Sequence, residues 1–72
     1  MDESFLKTKM GTKTYERLEK VVMLVDDHKI TKDEFDLAYQ GIYKRAMKNS
    51  GNDDELISTL GTIYLSVIRH YI

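Results

Sequence analysis

The C-terminal segment, residues 53–72, is apolar over a broad part of a helix circumference. At ~100° per residue its apolar positions span roughly 200°, whereas ~100° suffices for a surface helix of a globular domain. They form two adjacent stripes, Leu56, Leu60, Ile63 and Val67 in one and Ile57, Tyr64, Ile68 and Tyr71 in the other, with Leu65 and Ile72 beside them. Such a helix must lie between two partner helices or present part of this surface to another molecule.

Turn residues divide the rest of the chain, which has no proline. The breaks lie at residues 26–29 and 49–52, where Gly51 can adopt the left-handed conformation that ends a helix. We therefore predict an all-α fold, a small three-helix bundle with helices at about 14–26, 32–48 and 53–71.

The middle helix has the strongest local start signal in the sequence. Thr31 and Glu34 have the spacing of a capping box, in which each side chain accepts a hydrogen bond from the backbone N–H of the other residue. Ile30 and Phe35 have the spacing of a hydrophobic staple, which fixes how the chain enters the helix. The helix is therefore predicted to begin directly after Thr31.

The length and composition indicate one small domain. A chain of 72 residues buries only about 60% of its unfolded surface on folding, and without cysteine it has no disulfide to compensate. We predict that residues 12–72 form this domain and that residues 1–11 form an N-terminal arm, either disordered or a short helix. No stretch resembles a signal peptide or a membrane span of ~20 apolar residues, so we predict a cytoplasmic location with no membrane partner.

The residues that carry metal or catalytic chemistry lack the required spacing. Residues 26–35 have part of the spacing of a calcium-binding loop, but Met23 and Val25 occupy positions that need oxygen ligands. His28 and His70 are far apart, and neither has the neighbours that would make a nucleophile and base pair. We predict no metal, no cofactor and no enzymatic activity.

A nucleic-acid interface is the alternative function that the sequence allows. The net charge is -1, so only a local cationic patch could bind nucleic acid. The first two helices have the order of a helix-turn-helix motif, but its recognition helix would begin with Asp33, Glu34 and Asp36, which repel phosphate. The cations of this alternative DNA-binding regulator are Lys7, Lys9, Lys13, Arg17 and Lys20.

The broad apolar helix and the small core favour a protein-binding function. We predict a regulatory or inhibitory module that binds another protein through a helical apolar surface and self-associates as a homodimer. Small regulators encoded by viruses or mobile elements often have this form, and such an origin is a hypothesis. Among the tyrosines, Tyr15, Tyr39 and Tyr64 are assigned to the core by their stripe positions. The predicted interface consists of Tyr43, Met47, Ile57, Gly61, Tyr64, Leu65, Ile68, Tyr71 and Ile72.

Overall fold

The computed structural model describes residues 3–72, and helices account for nearly all of this range. The all-α prediction is confirmed, but the number of helices was predicted wrongly, since the described chain has four α-helices. They are α1 (Glu3–Met10), α2 (Thr12–Asp26), α3 (Lys32–Ser50) and α4 (Asp54–Ile68), and a 3₁₀ turn (Arg69–Tyr71) follows α4.

The additional helix, α1, lies in the region assigned to an N-terminal arm. Leu6 and Met10 are one helical turn apart and both are fully buried, so one face of α1 packs into the core. Gly11, with φ of 90°, separates α1 from α2, and the Asn49 side chain donates a hydrogen bond to the Met10 carbonyl. Of the two alternatives for the arm, a short helix is therefore the one observed for residues 3–10. Met1 and Asp2, also assigned to the arm, lie outside the described residues.

The predicted capping box starts α3. The Glu34 N–H donates to Thr31 Oγ1 at 3.1 Å, and the Thr31 N–H donates to Glu34 Oε1 at 2.8 Å. The helix ends at Gly51, which has the predicted left-handed conformation with φ of 69°. Both ends of α3 were therefore predicted correctly to within a few residues.

The start and end of α4 differ slightly from the prediction. Asp53 caps the helix by accepting a hydrogen bond from the Leu56 N–H at 2.9 Å, while Asn52 has a left-handed φ of 62° and lies before the cap. The α-helix continues through Gly61 without a break and ends at Ile68, where it tightens into the 3₁₀ turn. The predicted helix 53–71 is therefore α-helical from Asp54 to Ile68, and its last three residues form a 3₁₀ turn.

Replacing Thr31 with alanine removes one half of the capping box. We expect the free energy of unfolding to fall by about 1 kcal/mol, because the Glu34 N–H loses its acceptor at the helix start. Urea denaturation followed by circular dichroism measures this change. Thr31→Ser, which keeps the hydroxyl, should stay within about 0.5 kcal/mol of the wild type; an equal loss in both variants would contradict a capping role.

All four helices share the core. The first apolar stripe of α4 is buried, and each of the other three helices contributes apolar side chains to the same cluster. These side chains are Leu6 and Met10 from α1, Leu18 and Val25 from α2, Phe35, Ile42, Ala46 and Met47 from α3, and Leu56, Leu60, Ile63 and Val67 from α4. α1 contacts α4 as well as α2 and α3, so the helix with the broad apolar arc packs against a helix that the predicted bundle lacked.

Candidate protein-interaction surface

One apolar face of α4 is only partly covered within the subunit. Ile57, Gly61, Leu65 and Ile68 are spaced by three or four residues and share one helix face, which we call the α4 stripe. Leu65 is 60% exposed and Ile57 is 37% exposed, while Gly61 and Ile68 are half-buried. The fold therefore buries one side of α4 and leaves an apolar stripe at the surface beside it.

The α4 stripe is uncharged along its whole length. No residue from position 56 to position 68 carries a charge, whereas Asp54 and Glu55 precede this stretch and Arg69 follows it. Acidic residues at the start of a helix and cations at its end interact favourably with the helix dipole. The surface thus has a neutral centre, an acidic end and a basic end.

Gly61 lies in the middle of the α4 stripe. A Cβ atom built on this glycine would meet no heavy atom within 4 Å, so the packing of the subunit does not require glycine here. Glycine inside a helix costs about 1 kcal/mol relative to alanine. Its effect is to leave the α4 backbone open to a close approach from outside.

An aromatic cluster supports the edge of the stripe. The ring centroid of Tyr64 lies 5.7 Å from that of Phe35 and 4.8 Å from that of Tyr39, distances typical of interacting aromatic pairs. The Tyr39 hydroxyl donates to the Leu60 carbonyl at 3.1 Å, and burial raises the pKa of Tyr39 to about 12. The cluster connects α3 to α4 and holds the stripe in a fixed orientation.

Tyr64 also joins a polar group at the rim of the stripe. Its hydroxyl donates to Asp36 Oδ1 at 2.7 Å, and Lys32 Nζ donates to Asp36 Oδ2 at 2.9 Å. The hydrogen bonds from Lys32 and then Tyr64 lower the pKa of Asp36, and the bond to the Asp36 carboxylate raises the pKa of Tyr64. The Tyr64 side chain is therefore anchored within the subunit and borders the surface.

The remaining predicted interface residues do not all reach the α4 stripe. Met47 is 8% exposed and lies in the core, so the structure removes it from the candidate surface. Tyr71 is half-buried, and its hydroxyl donates to the Ile30 carbonyl at 2.9 Å. Tyr43 is half-buried on α3 and packs beside Tyr39, and Ile72 is 97% exposed at the chain end. The contiguous part of the predicted interface is therefore the α4 stripe with Tyr64.

The structure does not divide the tyrosines into core residues and interface residues. All five tyrosine rings are partly buried and pack against the core cluster. The hydroxyl groups differ more than the rings, since those of Tyr39, Tyr64 and Tyr71 each donate a hydrogen bond that joins distant parts of the chain. Helical spacing alone does not show which tyrosine hydroxyl groups have internal partners.

The five cations of the nucleic-acid alternative are distributed over different environments. Lys7 pairs with Glu3 at 3.4 Å, and Lys9 pairs with Asp53 at 3.1 Å. The hydrogen bonds from the Leu56 N–H and then from Lys9 lower the pKa of Asp53. Lys13 and Arg17 instead line a groove between α2 and α3, together with Arg45. Lys20 is exposed on α2. The groove was not predicted, because its two walls are separated in sequence.

Within residues 3–72 the structure contains no helix long and apolar enough to cross a membrane and no cluster of three or more potential metal-ligating His, Cys, Asp or Glu side chains. No known protein family matches the chain, and no curated protein or solved structure shows significant similarity to it.

Proposed function

We propose that this chain is a small protein-binding regulatory module that self-associates as a homodimer through the α4 stripe. The supporting observation is an exposed, uncharged apolar face on a helix whose neighbouring face is already buried. Exposed apolar surface of this kind is typical of protein-interaction sites. A second copy is the occupant that fits best, because Ile57 and Leu65 are equidistant from Gly61 and the two ends of α4 carry opposite charges.

Ile57 and Leu65 lie four residues on either side of Gly61 in the stripe. In an antiparallel pair of α4 helices with the two-fold axis beside Gly61, Ile57 of one copy packs against Leu65 of the second copy, and the reverse contact forms at the other side. The glycine lets the two helix backbones approach closely at the crossing point. This arrangement gives a role to a glycine that the subunit itself does not require.

The charges at the ends of α4 favour the same antiparallel arrangement. The acidic N-terminal end with Asp54 would lie beside Arg69 at the basic C-terminal end of the second copy, and the two helix dipoles would oppose each other. A parallel pair would instead place like charges together at both ends. Complementary charges at the rim set the register, while the uncharged centre is desolvated without burying an ion.

Sedimentation equilibrium tests self-association directly. We expect the wild type to sediment at twice the 8.4 kDa chain mass. Leu65→Glu should weaken the dimer at least ~100-fold, because a carboxylate would replace a leucine side chain that the dimer buries in an apolar contact. A wild type that stays monomeric at high concentration would contradict the homodimer.

The chain offers a matched control for this substitution. Met23 on α2 is 59% exposed, almost the same as the 60% exposure of Leu65, but it lies on another helix. Met23→Glu should therefore leave the dimer intact. If Met23→Glu dissociates the dimer and Leu65→Glu does not, the α4 stripe is not the contact surface.

A further inference from the structure

A groove between α2 and α3 combines an apolar floor with a cationic rim. It has a volume of about 560 Å³, and we call it the α2–α3 groove. Its rim carries Lys13 and Arg17 from α2 and Arg45 from α3, and its floor includes Val21, Gly41 and the buried Ile42. None of the residues that line the groove belongs to α4, so it is a candidate surface separate from the α4 stripe.

The charge of the groove has one sign. No acidic side chain lines it, and in the described part of the chain none of Lys13, Arg17 and Arg45 forms an ion pair. By helical spacing Lys20 lies three residues after Arg17 and Lys48 three residues after Arg45, while Glu16 lies three residues after Lys13, outside the groove lining. The chain thus has a local positive surface although its net charge is -1.

The groove also has an exposed apolar side chain at its edge. Leu37 is 71% exposed, the highest exposure of any large apolar side chain within the described helices. A Cβ built on Gly41 would meet no heavy atom within 4 Å, so this mid-helix glycine, like Gly61, is not required by internal packing. The missing side chain at Gly41 leaves room for an apolar side chain from outside.

We infer that the α2–α3 groove binds an acidic amphipathic helical segment of a partner protein. Leucine-like side chains of that segment would lie over Gly41 against Leu37 and Val21, and flanking Asp and Glu residues would pair with Lys13, Arg17 and Arg45. A nucleic-acid backbone would match the cations but would leave the apolar floor without a partner. The inference rests on the proposed protein-binding function and does not require dimerisation.

Selection from a displayed library of random peptides of about 20 residues tests this inference without assuming a sequence. Twenty residues form about five helical turns, longer than one face of the groove requires. Wild-type protein should enrich peptides with Asp or Glu flanking apolar residues at helical spacing. Enrichment of basic or uncharged peptides, or of none, would overturn the inference.

Binding of one enriched peptide, measured by fluorescence anisotropy, locates the site. Arg17→Glu should weaken binding at least ~10-fold by reversing a charge on the rim. Lys29→Glu changes the net charge equally but lies in the turn before α3, outside the groove, and should change affinity by less than ~2-fold. Equal losses in both variants would show a non-specific charge effect and would overturn the assignment.

Gly41→Leu tests the floor of the groove. The built Cβ at this position has open space, so the variant should fold with at least wild-type thermal stability, and it should weaken peptide binding at least ~10-fold by filling the floor. A stable Gly41→Leu protein that binds the peptide as the wild type does would overturn the proposed pose.

Two further measurements separate this inference from its alternatives. The Leu65→Glu variant, which we expect to be monomeric, should bind the peptide with wild-type affinity. Loss of binding in this variant would place the site on α4 and overturn the inference. A wild type that is monomeric and still binds the peptide would refute only the dimer. A labelled DNA duplex of about 20 base pairs at low salt should show no Arg17-dependent binding. Arg17-dependent binding of the duplex without acidic-peptide binding would assign the groove to nucleic acid.

Discussion

Phe35→Ala should remove a large part of the stability of the domain. The Phe35 side chain is fully buried, and its ring packs against Tyr39 at 5.9 Å and Tyr64 at 5.7 Å between ring centroids. Removing a buried phenylalanine side chain costs about 3–5 kcal/mol. A domain of 72 residues has a total stability of roughly 4–11 kcal/mol, so the loss removes most of it at the lower end of that range. Circular dichroism during urea titration measures the loss.

A matched control lies two residues further along the same helix. Leu37 is also apolar but is largely exposed, so Leu37→Ala should change the free energy of unfolding by no more than about 0.5 kcal/mol. The contrast between the two variants separates core packing from helix propensity, since alanine is introduced into α3 in both. Similar losses for the two variants would mean that Phe35 is not in the core.

The parts of the fold that the sequence predicts well depend on local interactions. The capping box at Thr31 and the left-handed Gly51 involve partners within four or five residues, and both are present as predicted. Each signal has a specific geometry that the residue types at those positions can adopt. The boundaries of α3 were therefore readable from the sequence alone.

The parts that were predicted incompletely depend on contacts between distant residues. An isolated helix of the length of α1 is marginal in water, and its stability comes from packing. The hydrogen bond from Asn49 to the Met10 carbonyl joins positions 39 residues apart, and no local sequence pattern predicts it. The arm could therefore be recognised as short-helical or disordered, but the choice required the tertiary structure.

The same distinction applies to the two candidate surfaces. Helical periodicity places Ile57, Gly61, Leu65 and Ile68 together, because residues on one face of one helix are related by spacing alone. It does not show how much of each apolar side chain stays exposed, and Met47, which was placed in the predicted interface, is buried. The α2–α3 groove forms only when two helices pack together, so the sequence of either helix alone does not predict it.

Leu6→Ala measures how much α1 contributes to the domain. Leu6 is almost completely buried in the shared core, and truncating a buried leucine to alanine costs about 2–5 kcal/mol through lost burial and the cavity that remains. We expect a comparable loss in the free energy of unfolding from urea titration, together with loss of amide protection throughout residues 3–10. An arm that does not pack would give almost no change.

The control for this prediction is Thr8→Ala, which lies two residues away on the exposed side of α1. Alanine has the higher helix propensity, so this variant should be as stable as the wild type or slightly more stable. Because α1 contacts all three other helices, Leu6→Ala should lower the stability of the whole domain in one cooperative transition. If only the N-terminal segment loses protection while α2, α3 and α4 keep the wild-type stability, α1 is an appendage and α4 relies on α2 and α3 alone.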